Sequence, residues 1–401
     1  MPSTPWGRCE AMRVLTTAIR YPPAPGGVET HAHEVARLLV QRGHDVVVYT
    51  SDLIKEHPFK HLDMPHEMVD GVHVIRKRAH RINATFHYVV IPGELEMLRR
   101  PTDVIHSHSF GYFHTNVAAL RSTLRETPFV ITPHYHPPES MEGGWARRQM
   151  RRLYDSEVAN WVFDQADMII AVSRAELGSM AHHIHDMDKV RVIPNGIDPS
   201  RFRDLPDGRA FLEDRGITGP MLLYVGRMAQ NKRMELVLQA MPDLLQEEPD
   251  LKLVIAGPDD GVGDDWKDLT RSLGIEDNVR FEGFLEEADM LAAYVAADVF
   301  VLPSDWEAFG IVLLEAMACR TPCVVADRGG PKEVVVDGET GIVAPYGDEG
   351  AWKETLLQLI GDASLRKRMG EAGRKRAMGE FSWSSIVDRI EGVYEEVTGI
   401  K

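Results

Sequence analysis

The chain has 401 residues, of which 44% are hydrophobic and 26% charged, enough for two water-soluble domains of ordinary size. No apolar run approaches the roughly 18–20 residues that span a bilayer. The first residues, with Pro2, Pro5, Arg8 and Glu10, lack the apolar core of a signal peptide, so a cytoplasmic location is expected. The net charge of −16 is unevenly spread: residues 1–200 hold 22 Lys/Arg against 23 Asp/Glu, leaving 23 against 38 for the remainder. An acidic second half lacks the basic footprint of nucleic-acid binding, so no nucleic-acid partner is expected. All 17 histidines lie at or before His185, a second sign of two halves with different chemistry. Cys9, Cys319 and Cys323 are too few for a disulfide framework, and the latter two read as core packing.

In chain order, Met12 to Thr17 reads as a first strand, followed by a Pro/Gly loop through Gly26-Gly27. Glu29 to Arg42 reads as a helix ended by Gly43, and Asp45 to Tyr49 as the next strand. Further strands are expected at Val72–Ile75, Val104–His106, Phe129–Thr132, Met168–Val172 and Val190–Ile193. Trp145 to Tyr154 carries Arg147, Arg148, Arg151 and Arg152 among apolar residues at helical spacing. The pattern restarts after the turn Pro194-Asn195-Gly196-Ile197-Asp198. Strands are then expected at Met221–Val225, Lys252–Ala256, Val279–Phe281, Val299–Leu302, Cys323–Ala326 and Gly341–Val343. Helices are expected at Glu235–Leu245, Asp289–Ala297 and Ser385–Val397. Strands alternating with helices predict an α/β chain of two doubly wound parallel sheets. The expected domains are 1–198 with 381–401, and 199–380.

Ligands of open α/β sheets bind beyond the carboxyl ends of the strands. Three loops there carry candidate chemistry: Gly26-Gly27, Gly226-Arg227, and Pro303-Ser304-Asp305-Trp306-Glu307-Ala308-Phe309-Gly310. The last runs into an apolar helix, Ile311 to Ala318, that contains one carboxylate, Glu315. A helix N-terminus presents free N–H groups and positive dipole to an anion. Glu315 lies about 7.5 Å along the axis from Gly310 at 1.5 Å per residue. Gly26 and Gly27 have no Cβ to block approach of the backbone to phosphate. The dinucleotide fingerprint Gly-x-Gly-x-x-Gly is absent there, which disfavours a dehydrogenase.

Five elements together form a recognisable set: Pro25-Gly26-Gly27-Val28-Glu29-Thr30-His31; Gly226-Arg227 with Lys232; Glu307 to Glu315; Gly329-Gly330 with Glu333; and Val192 to Asp198. The set resembles the retaining glycosyltransferases of GT-B fold that include phosphatidylinositol mannosyltransferases, glycogen synthases and sucrose-phosphate synthases. Within them, Gly26 to His31 and Ile105-His106-Ser107-His108-Ser109 look like the GPI-anchor N-acetylglucosaminyltransferase. The resemblance covers nearly the whole chain, up to a final helix that in the family crosses back to the first domain.

The resemblance implies two Rossmann-like domains facing across a cleft, an acceptor-side first domain and a nucleotide-sugar-binding second. It places Arg227 and Lys232 on the departing diphosphate, where fixed cations stabilise developing charge. Glu307, with the backbone N–H groups of Phe309 and Gly310, meets the donor sugar, and Glu315 the ribose. His134, in Thr132-Pro133-His134-Tyr135-His136, matches the histidine that faces the reacting sugar. The implied donor is a UDP- or GDP-sugar, with no other cofactor and no metal. The pairs His31/His33, His106/His108 and His182-His183-x-His185 come without a supporting carboxylate pattern, and no metal site is expected from them. The acceptor is a hydroxyl. A membrane lipid is one option, with Arg147, Arg148, Arg151 and Arg152 (aided by Arg76-Lys77-Arg78 and Arg81) on an anionic surface. A soluble carbohydrate, as in glycogen- or sucrose-type synthases, is the alternative. From another class, the chain is a non-catalytic sugar-nucleotide sensor.

Overall fold

A computed structural model describes residues 10–56, 59–63, 66–82, 89–138 and 145–400, with the side chains of 56, 146–148, 150 and 151 also outside the described set. Cys9 lies outside these residues. The described residues fall into two compact units. One runs to Pro194 and resumes at Trp383; the other runs from Asn195 to Ser382.

The first unit is built on eight strands: β1 (Arg13–Ala18), β2 (Asp45–Ser51), β3 (His66–Val69), β4 (Val72–Lys77), β5 (Val104–His108), β6 (Phe129–Thr132), β7 (Met168–Ala171) and β8 (Val190–Val192). They pair in the order β8-β7-β6-β5-β1-β2-β4-β3. All pairs are parallel except β3 on β4 at the edge. The central strands are buried on both faces, which is why each carries consecutive apolar residues and was legible without alternation. The edge strand His-Glu-Met-Val was not foreseen, because its half-exposed residues carry no such run.

Gly27–Arg42 is the first helix. It begins two residues before the expected Glu29, since Gly26, at φ 154°, lets the chain turn directly into it. Its end is as expected: Gly43 is left-handed and its N–H reaches the carbonyls of Leu39 and Val40. The final helix, Trp383–Thr398, packs on this unit. Arg42 ion-pairs with Glu391 and Asp388, and the His44 Nε2 lies 2.8 Å from Glu391. The Tyr394 hydroxyl lies 2.6 Å from the His106 Nδ1.

The second unit is a six-stranded parallel sheet, β9 (Met221–Val225), β10 (Lys252–Ala256), β11 (Val279–Gly283), β12 (Val299–Leu302), β13 (Cys323–Ala326) and β14 (Gly341–Ala344). Its order is β11-β10-β9-β12-β13-β14. Cys319 and Cys323 are buried in it, and burial raises the Cys319 thiol to about 12. In each sheet the chain winds outward one way and then returns to continue on the other side. The reversal falls between β1 and β5 in the first unit and between β9 and β12 in the second. Two loops diverge at such a point and leave a crevice at the strand carboxyl ends.

Candidate active site

In the second unit, the loops leaving β9 and β12 bring the expected residues to that reversal. Lys232, seven residues beyond β9, forms an ion pair with Glu307, five beyond β12, and both side chains are largely buried. The Ser304 hydroxyl donates to the same Glu307 oxygen at 3.2 Å. The Asp305 N–H donates to the Asn231 carbonyl at 2.8 Å and ties the two loops together. Lys232 and the Ser304 hydroxyl thus meet on one oxygen of the Glu307 carboxylate, which fixes its orientation.

Gly226 follows β9 at φ 159°, and a Cβ there would sit 2.7 Å from the Tyr224 hydroxyl, which donates to the Arg227 carbonyl at 2.8 Å. Arg227 is 53% exposed at the side chain and ion-pairs with Asp260, so it shares no partner with Lys232. Gly310, left-handed at φ 95°, caps the Ile311–Ala318 helix, and Phe309 is buried with its ring 5.9 Å from Phe381. Gly329 and Gly330 lie directly against this loop. A Cβ on Gly330 would come within 2.2 Å of the Ala308 carbonyl, and the Gly330 N–H donates to the Glu307 carbonyl at 2.9 Å.

Glu315 projects from the second turn of the helix, apart from the Lys232–Glu307 pair. It accepts from the Tyr294 hydroxyl at 2.9 Å, and Arg201 lies 3.9 Å away while bonding Glu287 at 2.7 Å. Burial raises the Glu315 carboxyl above its usual range, partly offset by Arg201 and the tyrosine. Tyr294, Ser304, Asp260 and Arg201 were not singled out from the sequence. Tyr294, in a helix that also carries Glu287 and Asp289, gave no distinct signal.

In the first unit, Gly26 and Gly27 follow β1, and His134 follows β6, which pairs with β5. Gly26 accommodates a side chain of its own helix: a Cβ would lie 2.1 Å from a Glu29 carboxylate oxygen, and Glu29 bonds Arg20 at 2.6 Å. His134 leaves β6 in the left-handed conformation, φ 45°, uncommon for a residue with a Cβ and a mark of a constrained site. Its ring centroid lies 5.1 Å from that of His31 and 5.9 Å from that of His108. Burial holds His134, His106 and His108 well below the usual imidazole range, so all three are neutral near pH 7. The backbone beside His134 is anchored by Glu176, which accepts from the Tyr135 and Val172 N–H groups, each at 2.6 Å. Burial raises Glu176 to about 7. The spacing Ser173-x-x-Glu176 is a capping-box signature and was a sequence signal for this residue; the Ser173 hydroxyl accepts from the Glu176 N–H at 3.0 Å.

Elsewhere the basic residues fare differently. Trp145–Tyr154 is helical, with Trp145 72% and Leu153 66% exposed, while the side chains of Arg147, Arg148 and Arg151 lie outside the described residues. Arg76 does not join a basic surface: it is buried, paired with Glu67 and bonded to backbone carbonyls. Lys77 and Arg78 are likewise engaged, with Glu96 at 2.7 Å and Asp52 at 3.0 Å. Among the described residues, no helix is long and apolar enough to cross a membrane.

Comparison with known proteins follows this division. The family model for glycosyl transferases group 1 matches residues 213–376, and that for glycosyltransferase family 4 matches residues 25–201. A glycogen synthase of Mycobacterium tuberculosis is 30% identical over 96% of this chain and 94% of its own. The chain belongs to the group 1 glycosyltransferases. A D-inositol 3-phosphate glycosyltransferase of Corynebacterium diphtheriae is 28% identical over 96% of this chain and 94% of its own. The sucrose-phosphate synthase structure from Thermosynechococcus elongatus, 23% identical, superposes with TM-score 0.82 over 97% of this chain and 99% of that one. The fold of this glycosyltransferase is therefore GT-B, with two Rossmann-like domains.

Proposed function

We propose that the protein is a retaining, metal-independent glycosyltransferase that moves a sugar from a nucleotide diphosphate sugar to the hydroxyl of a carbohydrate or polyol. The observation that carries this reading is the buried Lys232–Glu307 pair at the sheet reversal, ahead of the Ile311–Ala318 helix N-terminus. The second unit holds the donor. Lys232 and Arg227 take the diphosphate oxygens, Glu307 with the Phe309 and Gly310 N–H groups takes the sugar hydroxyls, and Glu315 takes the ribose. The first unit supplies Gly26, Gly27 and His134, and shapes the acceptor side.

In the transfer, the bond from the anomeric carbon to the diphosphate oxygen breaks and its electron pair leaves with the diphosphate. Lys232 and Arg227 stabilise that charge as it develops. The acceptor hydroxyl attacks the same face, and its proton passes to the departing phosphate oxygen. Neutral His134 stabilises the cationic sugar without adding a positive charge. Glu307 and Glu315 recognise and orient, since neither is placed as one of two carboxylates flanking a scissile bond.

The acceptor assignment is supported by the names of the relatives, a glycogen synthase and an inositol-phosphate glycosyltransferase. A lipid acceptor is the second reading, favoured by the exposed Trp145 and Leu153 on an arginine-rich helix.

The test is turnover with a panel of UDP-, GDP- and ADP-sugars against soluble and liposome-bound acceptors, with and without EDTA, the product anomer read by NMR. Transfer with retention in EDTA is expected. Dependence on added magnesium, or donor binding without transfer or slow hydrolysis, would overturn it, the latter in favour of a sensor. Flotation with anionic liposomes at low salt separates the two acceptor readings.

A further inference from the structure

The first unit holds a buried group that the transfer does not fully use. His31 comes from the Gly27–Arg42 helix, His108 ends β5, and His134 follows β6. Each belongs to a different stretch of sequence, and each apparent His-x-His pair is split. His33 bonds Tyr21 and Asp70, and His106 is engaged by Tyr394 and Thr132. His31, His108 and His134 each present one ring nitrogen, and these lie within 4.8 Å of one another.

Their burial makes the arrangement costly. His108 is 0% exposed, and neither of its ring nitrogens, nor the His134 Nε2, has a hydrogen-bond partner among the described residues. A buried polar atom left so is destabilising, because its lost hydration is not replaced. The walls offer no remedy: the His31 ring packs on Trp383 at 5.3 Å, and the His108 ring on the already engaged His106 at 4.2 Å.

We infer that His31, His108 and His134 form a three-imidazole site for a transition-metal ion of the zinc class. Three neutral nitrogens and no oxygen donor fit zinc, cobalt or nickel, and do not fit magnesium or calcium, which take oxygen ligands. Ligand nitrogens around a tetrahedral zinc at about 2.1 Å lie roughly 3.4 Å apart, so small ring shifts bring these nitrogens into range. The fourth position stays open. The ion is not part of the transfer. It occupies the imidazole that the proposed mechanism assigns to the sugar, and so inhibits. This inhibitory half rests on the role proposed for His134, whereas binding does not.

The test begins with EDTA-stripped full-length protein titrated with Zn2+ by calorimetry and with Co2+ by visible absorption. One tight zinc and a tetrahedral cobalt spectrum are expected. His108→Leu should weaken binding by about 100-fold, as expected for loss of one of three ligands, and His31→Gln is the second variant in case the first fails to fold. A His182→Ala/His185→Ala variant, altered at histidines outside the cluster, should bind as wild type does. Absence of micromolar binding to wild type, or undiminished tight binding by a folded His108 or His31 variant, would overturn the site. Zinc should also lower wild-type turnover and not that of His108→Leu. Binding without inhibition keeps the site and overturns the place of His134 in the transfer.

Discussion

At the scale of single residues, the buried ion pair makes the sharpest demands. Replacing Lys232 by Ala removes a cation from the proposed leaving group and should lower turnover about 10²-fold or more. The fold should survive, because Glu307 keeps the Ser304 hydroxyl as a partner. Steady-state kinetics with matched circular dichroism check both halves, and full activity would remove Lys232 from the mechanism. Tyr294→Phe is a subtler case. It deletes a hydrogen bond to Glu315 and nothing else, and such bonds contribute about 1 kcal/mol. The KM for the donor should rise about 5-fold with kcat nearly unchanged. An unchanged KM would show that Glu315 needs no orientation by Tyr294. Glu307 and Glu315 were visible in the sequence as a Glu-x7-Glu pair, and Lys232 through the family resemblance. Tyr294 was not, since it reaches Glu315 from another helix, Glu287–Ala296.

At the scale of elements, the second unit's loop is shaped by backbone approaches that only glycine permits. Gly330 has an ordinary φ of −73°, so strain does not require glycine there. What requires it is the Ala308 carbonyl, 2.2 Å from where a Cβ would lie. Gly330→Ala should therefore displace the Glu307–Gly310 loop. Donor affinity should fall more than 10-fold, with a melting temperature lowered by a few degrees, about 2–4 °C per kcal/mol for a unit of the size of Asn195–Ser382. Calorimetry and differential scanning report the two effects separately, and unchanged donor affinity would count against this role. The Gly329-Gly330 pair was legible as a motif, but its duty was not, because the neighbour it spares lies more than twenty residues earlier in the chain.

At the scale of the whole molecule, the pattern of buried titrating groups sets the response to acid. Burial holds His106, His108 and His134 well below 6.5 and brings His114 to about 4. A histidine with a depressed folded pKa contributes stability that is present above about 6.5 and lost as pH falls. Burial acts oppositely on Glu94, Glu176 and Glu315, whose raised values make the fold hold protons that the unfolded chain releases above about 4.5. Each such group changes stability by about 1.4 kcal/mol per pH unit within its window. Between pH 6.5 and 4.5 the three acids oppose the four histidines and leave a smaller net loss. Below 4.5 the acids no longer contribute and the histidines continue. Glu391, held low by His44 and Arg42, adds in the same direction. Urea midpoints should thus fall gently from pH 6.5 to 4.5 and more steeply below. A steep fall beginning at pH 6.5 would mean the histidines are not matched by protonated acids.

The sequence by itself determined the two winding patterns and most strand and helix positions. Strands buried on both faces are rich in apolar residues, and a glycine free to turn left-handed ends the first helix at Gly43. It also determined the second unit's candidate residues, because Glu307, Phe309, Gly310 and Glu315 lie on one loop and the helix it enters. Tertiary structure alone decided which groups meet across strands. Lys232 reaches Glu307 only because β9 and β12 are neighbours at a reversal of sheet order. His31, His108 and His134 converge only because β1, β5 and β6 lie side by side. The histidine pairs seen along the chain were misleading guides, since neighbours two apart found partners elsewhere. Periodicity records which face of an element is buried, while contact between side chains from different elements depends on strand order, which is a property of the assembled sheet.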